Sequence, residues 1–310
     1  MARRCFFVVN PHSSDGKTGK LWPALRRRVQ GRLGQLDCAY TRGTMHAAEL
    51  TAEALRSGYS TIVAVGGDGT VNEVLNGFYE NGKAIRPDAE LAFLPSGTGG
   101  DLARTLGTAT RSLEDLLLEI PTARTGALDA AEATFRTAQG EEVRRLFINE
   151  VSVGFSANIA RTVNEADGLF SGQAAFFVSV FRCLAGLRNQ VMRISVDDAP
   201  WYRGPVFFAA VCNGRYFGGG MKVAPEADMT DGLFDLVLVK YFKRLDVVRH
   251  IAKVYRGEHL KLAQVRCVRC RKVEFTSDEA VPIEMDGEQP GFLSVSATVC
   301  GRAVRFLLPK

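Results

Sequence analysis

The stretch that decides the fold reads Val63-Ala64-Val65-Gly66-Gly67-Asp68-Gly69-Thr70-Val71-Asn72-Glu73-Val74-Leu75. It starts as a short apolar run typical of a buried strand, breaks at closely spaced glycines, and continues with apolar residues at helical spacing. This pattern predicts a strand, a tight turn and the N-terminus of a helix. Because glycine lets backbone N–H groups approach an anion and a helix N-terminus favours negative charge, the turn is a candidate phosphate site.

The acid in the middle of this turn needs a separate explanation. Asp68 is a poor phosphate ligand by itself, but a divalent cation can bridge a carboxylate to phosphate oxygens. Thr70 and Asn72 add short polar groups beside it. The alternative is an ordinary strand-to-helix turn, and the combination of glycines with these polar residues favours the phosphate site.

Length and composition exclude several classes of protein. A chain of 310 residues is long enough for two domains, and 46% hydrophobic with 24% charged residues is typical of a globular protein. A net charge of +5 suits an anionic substrate or membrane surface and is too small for a nucleic-acid binder. The seven scattered cysteines predict a reducing, cytoplasmic location without a disulfide framework. No apolar run approaches the ~18 residues that span a bilayer, so any membrane contact is expected to be peripheral.

Two further loops repeat the pattern of the first. A strand at 6–9 precedes the polar loop 10–17, and a strand at 91–94 precedes the loop 95–101, which leads into another helical pattern. Strands that alternate with helices predict a parallel sheet, whose ligands collect at the carboxyl ends of its strands. We therefore expect the loops 10–17, 66–72 and 95–101 to line one edge of the sheet.

The pattern changes near residue 126. Short alternating runs then dominate and predict a mostly antiparallel sandwich or barrel; they cover residues 146–148, 191–196, 206–211, 233–239, 265–275 and 293–299. Helical patterns interrupt these runs at 173–187 and 245–255. The first is apolar nearly all round, which suits either a core helix or a helix that borders a lipid pocket. Near the second are cations that form either a docking face for anionic lipid or plain solvated surface, namely Lys240, Lys243, Arg244 and Arg249.

At this point the sequence resembles a known family. Residues 66–74 resemble the nucleotide-binding signature of the diacylglycerol kinase catalytic domain, and four other segments fit the same family in the right order: Asn10-Pro11 with its polar loop, 95–101, 228–233 and 285–288. The chain looks similar to the compact bacterial lipid kinases of the diacylglycerol kinase and sphingosine kinase superfamily. NAD kinases and phosphofructokinase-like enzymes share the first signature alone. The late segment Asp286-Gly287-Glu288 and the Asp-containing segment 228–233 before it favour a lipid kinase.

The resemblance implies an ATP-dependent lipid kinase with two domains. An NAD kinase-like α/β domain at 1–125 would bind Mg·ATP, and a β-sandwich domain at 126–302 would bind the acceptor, with a final strand at about 303–310 returning to the first domain. The acceptor would be a hydroxyl of diacylglycerol or a related lipid such as a sphingoid base or ceramide. The expected partners are this lipid and the membrane surface, with a homodimer left open and nucleic acid excluded. The alternatives are a kinase of a soluble acceptor, as in NAD kinase-like proteins, and a nucleotide-binding module without catalysis.

The resemblance also implies specific ligands for the nucleotide. The phosphates and the rest of ATP would contact Asn10, Pro11, His12, Ser13, Ser14, Thr41, Gly66, Gly67, Asp68, Gly69, Thr70, Val71, Asn72, Gly97 and Thr98.

Carboxylates are expected to hold Mg²⁺ because several of them near a triphosphate would repel it unless a cation intervened. The proposed ligands are Asp68, Asp101 and Glu288, although Asp101 also suits the N-cap of the following helix. A second, non-catalytic metal is implied at Asp228, Asp231 and the Leu233 carbonyl, for which a plain Asp-Gly hairpin turn is the alternative.

The acid that accepts the hydroxyl proton is left open between two residues. From local sequence alone, Asp286 belongs to a β-turn with acidic decoration, whereas the resemblance implies that it is the base. Glu288 would then be a metal ligand. A single residue separates the two, so the sequence does not decide which one carries the proton.

Overall fold

The structure is a computed structural model that describes residues 3–97, 100–155, 186 and 188–309. The chain forms two compact units. The first contains Met1–Leu128 together with Arg302–Lys310, and the second contains Asp129–Gly301. The helical prediction at 173–187, Thr98 of the predicted nucleotide site and Lys310 at the end of the final strand lie outside the described residues, apart from Gly186 of the helix.

The first unit is built around a parallel sheet. Its strands and helices, in chain order, are β1 Cys5–Val9, α1 Lys17–Leu33, β2 Asp37–Tyr40, α2 His46–Arg56, β3 Thr61–Gly66, α3 Asp68–Asn76, β4 Tyr79–Glu80, β5 Lys83–Ala84, β6 Glu90–Pro95, α4 Asp101–Thr105 and α5 Leu113–Glu119. The strands pair in the order β2, β1, β3, β6, and all of these pairs are parallel. The predicted strand and helix on either side of the Gly66-Gly67 turn are therefore present as β3 and α3.

The core of the first unit explains why this sheet forms. Every residue of β3 is buried, as expected for a central parallel strand covered on both faces. One face packs against α1 and α5, where the buried side chains include Trp22, Val29, Leu94, Leu117 and Leu307. Near the end of the chain, Phe306 pairs in parallel with Leu91 of β6, so the last residues add a strand to this sheet.

The second unit is mostly antiparallel. Its strands, of which the first and last also extend into the first unit, and its helix are β7 Arg124–Arg136, β8 Glu142–Phe147, β9 Glu150–Gly154, β10 Gln190–Val196, β11 Ala199–Val206, β12 Phe208–Cys212, β13 Phe234–Val239, α6 Arg244–Arg256, β14 Val265–Cys270, β15 Lys272–Thr276, β16 Pro282–Met285 and β17 Glu288–Leu308. Its longest run of neighbours is β14, β13, β12, β9, β16 and β17. The predicted fold class, an α/β part followed by a mostly antiparallel β part, is confirmed.

Two of the predicted runs are wrong as single strands. The run 265–275 is broken at Arg271, because the Asp197 carboxylate accepts hydrogen bonds from the N–H groups of Arg271 and Lys272, each at 2.9 Å. The run 206–211 is broken at Phe207, whose N–H donates to the carbonyls of Val239 and Lys240 instead of continuing either strand. Both breaks depend on partners far away in sequence, which an alternating pattern does not reveal.

Candidate functional site

Two glycine loops touch each other at the carboxyl end of the parallel sheet. Gly66 ends β3, and its carbonyl accepts a 2.7 Å hydrogen bond from the N–H of Ser96. A Cβ atom on Gly97 would lie 2.6 Å from the Cα of Gly67, which no side chain permits. The loops after β3 and β6 are therefore packed backbone against backbone, and this close approach requires glycine at position 97.

The loop after β1 contacts the loop after β6 and the start of α3. The Asn10 side-chain amide donates to the Thr70 hydroxyl at 3.1 Å, and the Asn10 carboxamide oxygen accepts from the N–H of His12 at 3.0 Å. The Thr18 hydroxyl lies 2.6 Å from the hydroxyls of both Ser13 and Ser96. The structure therefore brings the predicted loops at 10–17, 66–72 and 95–97 together at one edge of the sheet.

The remaining nucleotide candidates differ in what they offer to a ligand. The Thr41 N–H donates to the Val9 carbonyl at 2.9 Å, which places Thr41 at the end of β2 on the same edge. Val71 is fully buried, and its N–H already donates to the Gly67 carbonyl. Asn72 is 1% exposed within α3. The polar groups that line this edge come from the loops rather than from these buried helical residues.

Asp68 joins the glycine turn to α4. Its two carboxylate oxygens accept hydrogen bonds from the backbone N–H groups of Asp101 and Leu102, at 3.0 and 3.3 Å. These are among the donors that the first turn of a helix leaves unsatisfied, so Asp68 caps α4 from another loop. The alternative role of Asp101 as the N-cap is wrong, because Gly100 stands there and the Asp101 carboxylate pairs with Arg104 at 3.1 Å.

The electrostatics of Asp68 and Asp101 fit a bound cation. Burial, and next the nearby charge of Asp101, raise the pKa of Asp68 to about 6. A like charge that destabilises a carboxylate is relieved when a divalent cation binds both acids. Mg²⁺ in phosphoryl-transfer sites typically uses one or two carboxylates together with phosphate oxygens and water. The donor set of Asp68 and Asp101 therefore fits a magnesium ion that also holds phosphate.

Asp286 has a different environment. It is only 4% exposed, and its carboxylate accepts three backbone hydrogen bonds, from Ile148 at 2.9 Å, Asn149 at 3.0 Å and Glu150 at 2.9 Å. Its own N–H donates to the Glu150 carbonyl at 3.1 Å. Three N–H donors hold this carboxylate firmly, so Asp286 anchors the segment between β8 and β9.

Glu288 lies two residues further on and is more accessible. Its carboxylate forms an ion pair with Arg145 at 2.8 Å, and its side chain is 31% exposed. The guanidinium of Arg145 orients the carboxylate without enclosing it.

Sequence reasoning missed two buried acids beside this turn. Glu150 and Glu284 are 1% and 4% exposed, and burial followed by the charge of Glu284 raises the pKa of Glu150 well above its usual value. The Glu284 carboxylate accepts from the Gly287 N–H at 2.7 Å and from the Ser152 hydroxyl at 2.5 Å, so it holds the turn that carries Asp286. A single acid inside an apolar strand, as in Pro282-Ile283-Glu284-Met285, was the signal that would have found it.

In the predicted second metal site, the carboxylates of Asp228 and Asp231 already have partners within the chain. One Asp228 oxygen accepts from both the N–H and the hydroxyl of Thr230, at 3.0 and 2.7 Å. Asp231 accepts from the Leu233 N–H at 2.9 Å and pairs with the guanidinium of Arg269. Arg269 supplies positive charge at Asp231, and the second metal site stays a prediction.

A wholly apolar cavity lies within the second unit. It encloses about 710 Å³, part of it open to solvent, and no polar atom contributes to its exposed lining. Its walls come from β12, β13, α6 and neighbouring loops: Phe155, Phe207, Phe208, Phe217, Met221, Val223, Val239, Phe242, Val247, His250, Ile251, Val254, His259, Leu262 and Val265. Burial lowers the pKa of His259, so its ring is neutral and suits these surroundings.

The described residues lack two features that bear on function. Within the ranges given above, no three or more His, Cys, Asp or Glu side chains are grouped so that they could hold a metal ion. The helices found there also include none with the length and hydropathy needed to cross a membrane.

Comparison with known proteins places this arrangement in a family. Residues 4–133 match the diacylglycerol kinase catalytic domain, and residues 149–308 match the YegS C-terminal NAD kinase beta sandwich-like domain. A diacylglycerol kinase of Staphylococcus carnosus is 26% identical over 100% of this chain and 96% of its own length. One from Bacillus subtilis is 28% identical over 86% of this chain and 82% of its own.

Solved structures agree on the fold. The crystal structure of a diacylglycerol kinase from Bacillus anthracis superposes with a TM-score of 0.71 at 19% identity, covering 99% of this chain and 97% of that one. The chain therefore belongs to the diacylglycerol kinase family, with a diacylglycerol kinase catalytic domain followed by a YegS-type C-terminal domain, and is a phosphotransferase with an alcohol group as acceptor.

Proposed function

We propose that this kinase transfers the γ-phosphoryl group of Mg·ATP to a hydroxyl of diacylglycerol or of a related lipid such as a sphingoid base or ceramide. The observation that carries the lipid acceptor is the wholly apolar cavity of about 710 Å³ in the second unit. A soluble acceptor such as NAD would need several polar partners, because buried polar groups without hydrogen bonds are costly. The cavity instead suits an acyl chain, because its exposed lining is apolar.

The nucleotide is assigned to the edge of the parallel sheet in the first unit. The joined loops there supply glycine backbone and short polar side chains, and Asn10, Ser13 and Thr70 are held by their mutual hydrogen bonds. Such a preorganised cradle suits phosphoryl transfer, which depends mainly on positioning and charge neutralisation. The proposed contacts are the residues predicted from the sequence: Asn10–Ser14, Thr41, Gly66–Asn72, Gly97 and Thr98.

Asp68 and Asp101 are the proposed magnesium ligands. Mg²⁺ bound there would neutralise charge on the phosphate oxygens. The pKa of Asp68, which burial and then the charge of Asp101 raise, supports this role. Glu288, the third ligand predicted from the sequence, is assigned a different role below.

For the proton acceptor, the environments favour Glu288 over Asp286. A general base must reach the hydroxyl that it deprotonates. Asp286 is buried, and three backbone donors already occupy its oxygens, whereas Glu288 is partly exposed and paired only at one side with Arg145. We therefore propose that Asp286 positions the turn and that Glu288 accepts the hydroxyl proton.

Two broader features belong to the same proposal. The first unit acts as the nucleotide-binding domain and the second as the acceptor domain. The enzyme works in the cytoplasm and contacts the membrane peripherally to reach its lipid, and a homodimer is compatible with this function.

The test is a kinase assay with pure protein, labelled ATP, Mg²⁺ and micelles that contain diacylglycerol, sphingosine or ceramide. We expect a phosphorylated product from at least one lipid and none from the matched variant Asp68→Asn, which keeps one acceptor for α4. Phosphorylation of NAD without detergent, or no lipid product above that of the variant, would contradict the proposal.

A second variant tests the cavity itself. Val254→Trp on α6 fills part of its volume, so long-chain substrates should lose at least about tenfold in kcat/KM while short-chain diacylglycerol loses little. An equal loss for both chain lengths would mean that the cavity does not hold the acyl chain.

A further inference from the structure

The start of α6 exposes an unusual amount of apolar surface. In the part of the chain that the structure describes, seven large apolar side chains are exposed, and three of them lie between residues 241 and 248. Tyr241 is 49% exposed, Val248 56% and Leu245 79%, the highest of the seven. Single exposed apolar residues are normal, but three that lie this close together form a patch that needs an explanation.

This exposure is built into the fold. Next to Tyr241, the buried Phe242 exchanges two backbone hydrogen bonds with the side chain of Asn189, at 3.0 and 3.1 Å. The Asp246 carboxylate then accepts the Lys243 N–H at 2.9 Å and caps the helix. With the backbone fixed on both sides, Tyr241 and Leu245 are held outward.

The helix is apolar on two sides. Leu245 and Val248 are three residues apart and share one face. Val247, Ile251 and Val254 occupy the other face and line the apolar cavity. An ordinary surface helix has one apolar face, so the second one calls for a partner outside the described fold.

Cations surround the patch. Residues 240–249 include Lys240, Lys243, Arg244 and Arg249 against one acid, Asp246, which is engaged in the helix cap. Among the described residues, Lys240, Lys243 and Arg249 form no ion pair with a carboxylate. Apolar side chains within a ring of cations match a surface that is apolar inside and negatively charged outside.

We infer that residues 240–249, the docking segment, bind the surface of an anionic lipid bilayer. Tyr241, Leu245 and Val248 insert at the level of the head groups, and the cations contact lipid phosphates. A second copy of the chain fits less well, because a symmetric interface would bring the same four cations against each other. The inference rests on the proposed function in so far as the acceptor lipid lies in that bilayer, and it names the surface that reaches it.

Co-sedimentation of the full chain with vesicles tests the docking segment. The vesicles are made of phosphatidylcholine, either alone or mixed with phosphatidylglycerol. One double variant, Leu245→Ser with Val248→Ser, removes apolar contact, and another, Lys243→Gln with Arg249→Gln, removes charge. The matched controls are Leu21→Ser and Arg27→Gln, which alter exposed residues of α1 in the other unit.

We expect the wild-type chain to bind the mixed vesicles and to release them at high salt. The apolar variant should bind at least about tenfold more weakly, and the charge variant about twenty-five-fold, at about fivefold per cation. The controls should bind like wild type. Equal binding by wild type and both variants would overturn the proposal, as would a loss of self-association by the apolar variant while vesicle binding stays unchanged.

Kinase assays on the same variants separate this proposal from the proposed function. Detergent micelles present the lipid without an anionic surface, so both variants should keep wild-type rates there and lose rate only on vesicles. Vesicle binding without any lipid phosphorylation would contradict the proposed function and leave the docking segment supported. Lipid phosphorylation in micelles, combined with unaltered vesicle binding by both variants, would support the proposed function and contradict the docking segment.

Discussion

Asp68 in the first unit and Asp286 in the second are both acids that the sequence placed in glycine turns, and the structure uses both to hold backbone. Asp68 accepts two N–H groups at the start of α4, and Asp286 accepts three from residues 148–150. The difference is access. Asp68 is half-buried, whereas Asp286 is 4% exposed.

This difference separates structural from chemical roles. A half-buried carboxylate with two donors can hold a helix and still bind a cation, because each oxygen has more than one lone pair. A buried carboxylate with three donors has little left to offer a substrate. We therefore expect Asp286 to matter for folding and Asp68 mainly for activity, with Glu288 beside Asp286 supplying the chemistry of the second unit.

The largest effect on stability is expected for Asp286→Ala. Three buried N–H groups lose their acceptor, at about 1–3 kcal/mol for each unsatisfied group, so the free energy of unfolding should fall by at least about 3 kcal/mol. Urea unfolding followed by the fluorescence of Trp201, which lies in the same unit, measures this loss. The control is Asp228→Ala, an exposed acid that accepts hydrogen bonds from Thr230 and should cost less than about 1 kcal/mol. If both variants lost the same free energy of unfolding, Asp286 would not anchor the segment between β8 and β9.

Glu288→Gln should show the opposite behaviour. Loss of a general base typically lowers the rate about 10²–10⁴-fold, while this partly exposed side chain contributes little to stability. Steady-state kcat on lipid micelles and the unfolding midpoint are measured on the same preparation. If Glu288→Gln kept most of its rate and a folded Asp286→Asn enzyme lost it, Asp286 would be the general base.

Local patterns in the sequence were sufficient for much of the fold. The change from a continuous apolar run to helical spacing at Gly66 located β3 and α3, and the repeated strand-loop-helix order gave the parallel sheet. The carboxyl ends of parallel strands lie on one edge, so the meeting of the three loops followed from topology.

What sequence could not supply were contacts between distant segments. Asp68 caps a helix 33 residues away, and Asp286 holds amides 136–138 residues away. Both depend on strand register, and a local motif contains no information about register. The ion pair between Asp231 and Arg269 was hidden for the same reason, since Arg269 lies 38 residues away on β14.

The like-charge pair of Glu150 and Glu284 in the second unit gives a pH test. Glu150 has a pKa well above its usual value, because of burial and then the neighbouring charge of Glu284. The folded state therefore holds a proton that the unfolded state releases, and stability falls as pH rises above about 4.5 toward the raised pKa. The slope for one such proton is at most about 1.4 kcal/mol per pH unit. Urea unfolding at several pH values should show a shallower slope for Glu150→Gln, whereas exposed Glu279→Gln should leave it unchanged.

The smallest expected effect returns to Asp68 and tests whether a cap supplied from another loop acts like a local one. Asp68→Ala removes both acceptors from the start of α4 and should cost about 1 kcal/mol, the usual value for a lost N-cap, while Asp68→Asn should cost less. Ser112→Ala is the matched control, because Ser112 caps α5 locally by accepting from the Asp115 N–H at 3.1 Å. Amide hydrogen exchange in α4 and α5 compares the two caps directly. If α4 exchanges no faster in Asp68→Ala than in wild type, the carboxylate does not hold the helix, and its proposed role in binding a cation is the one that remains.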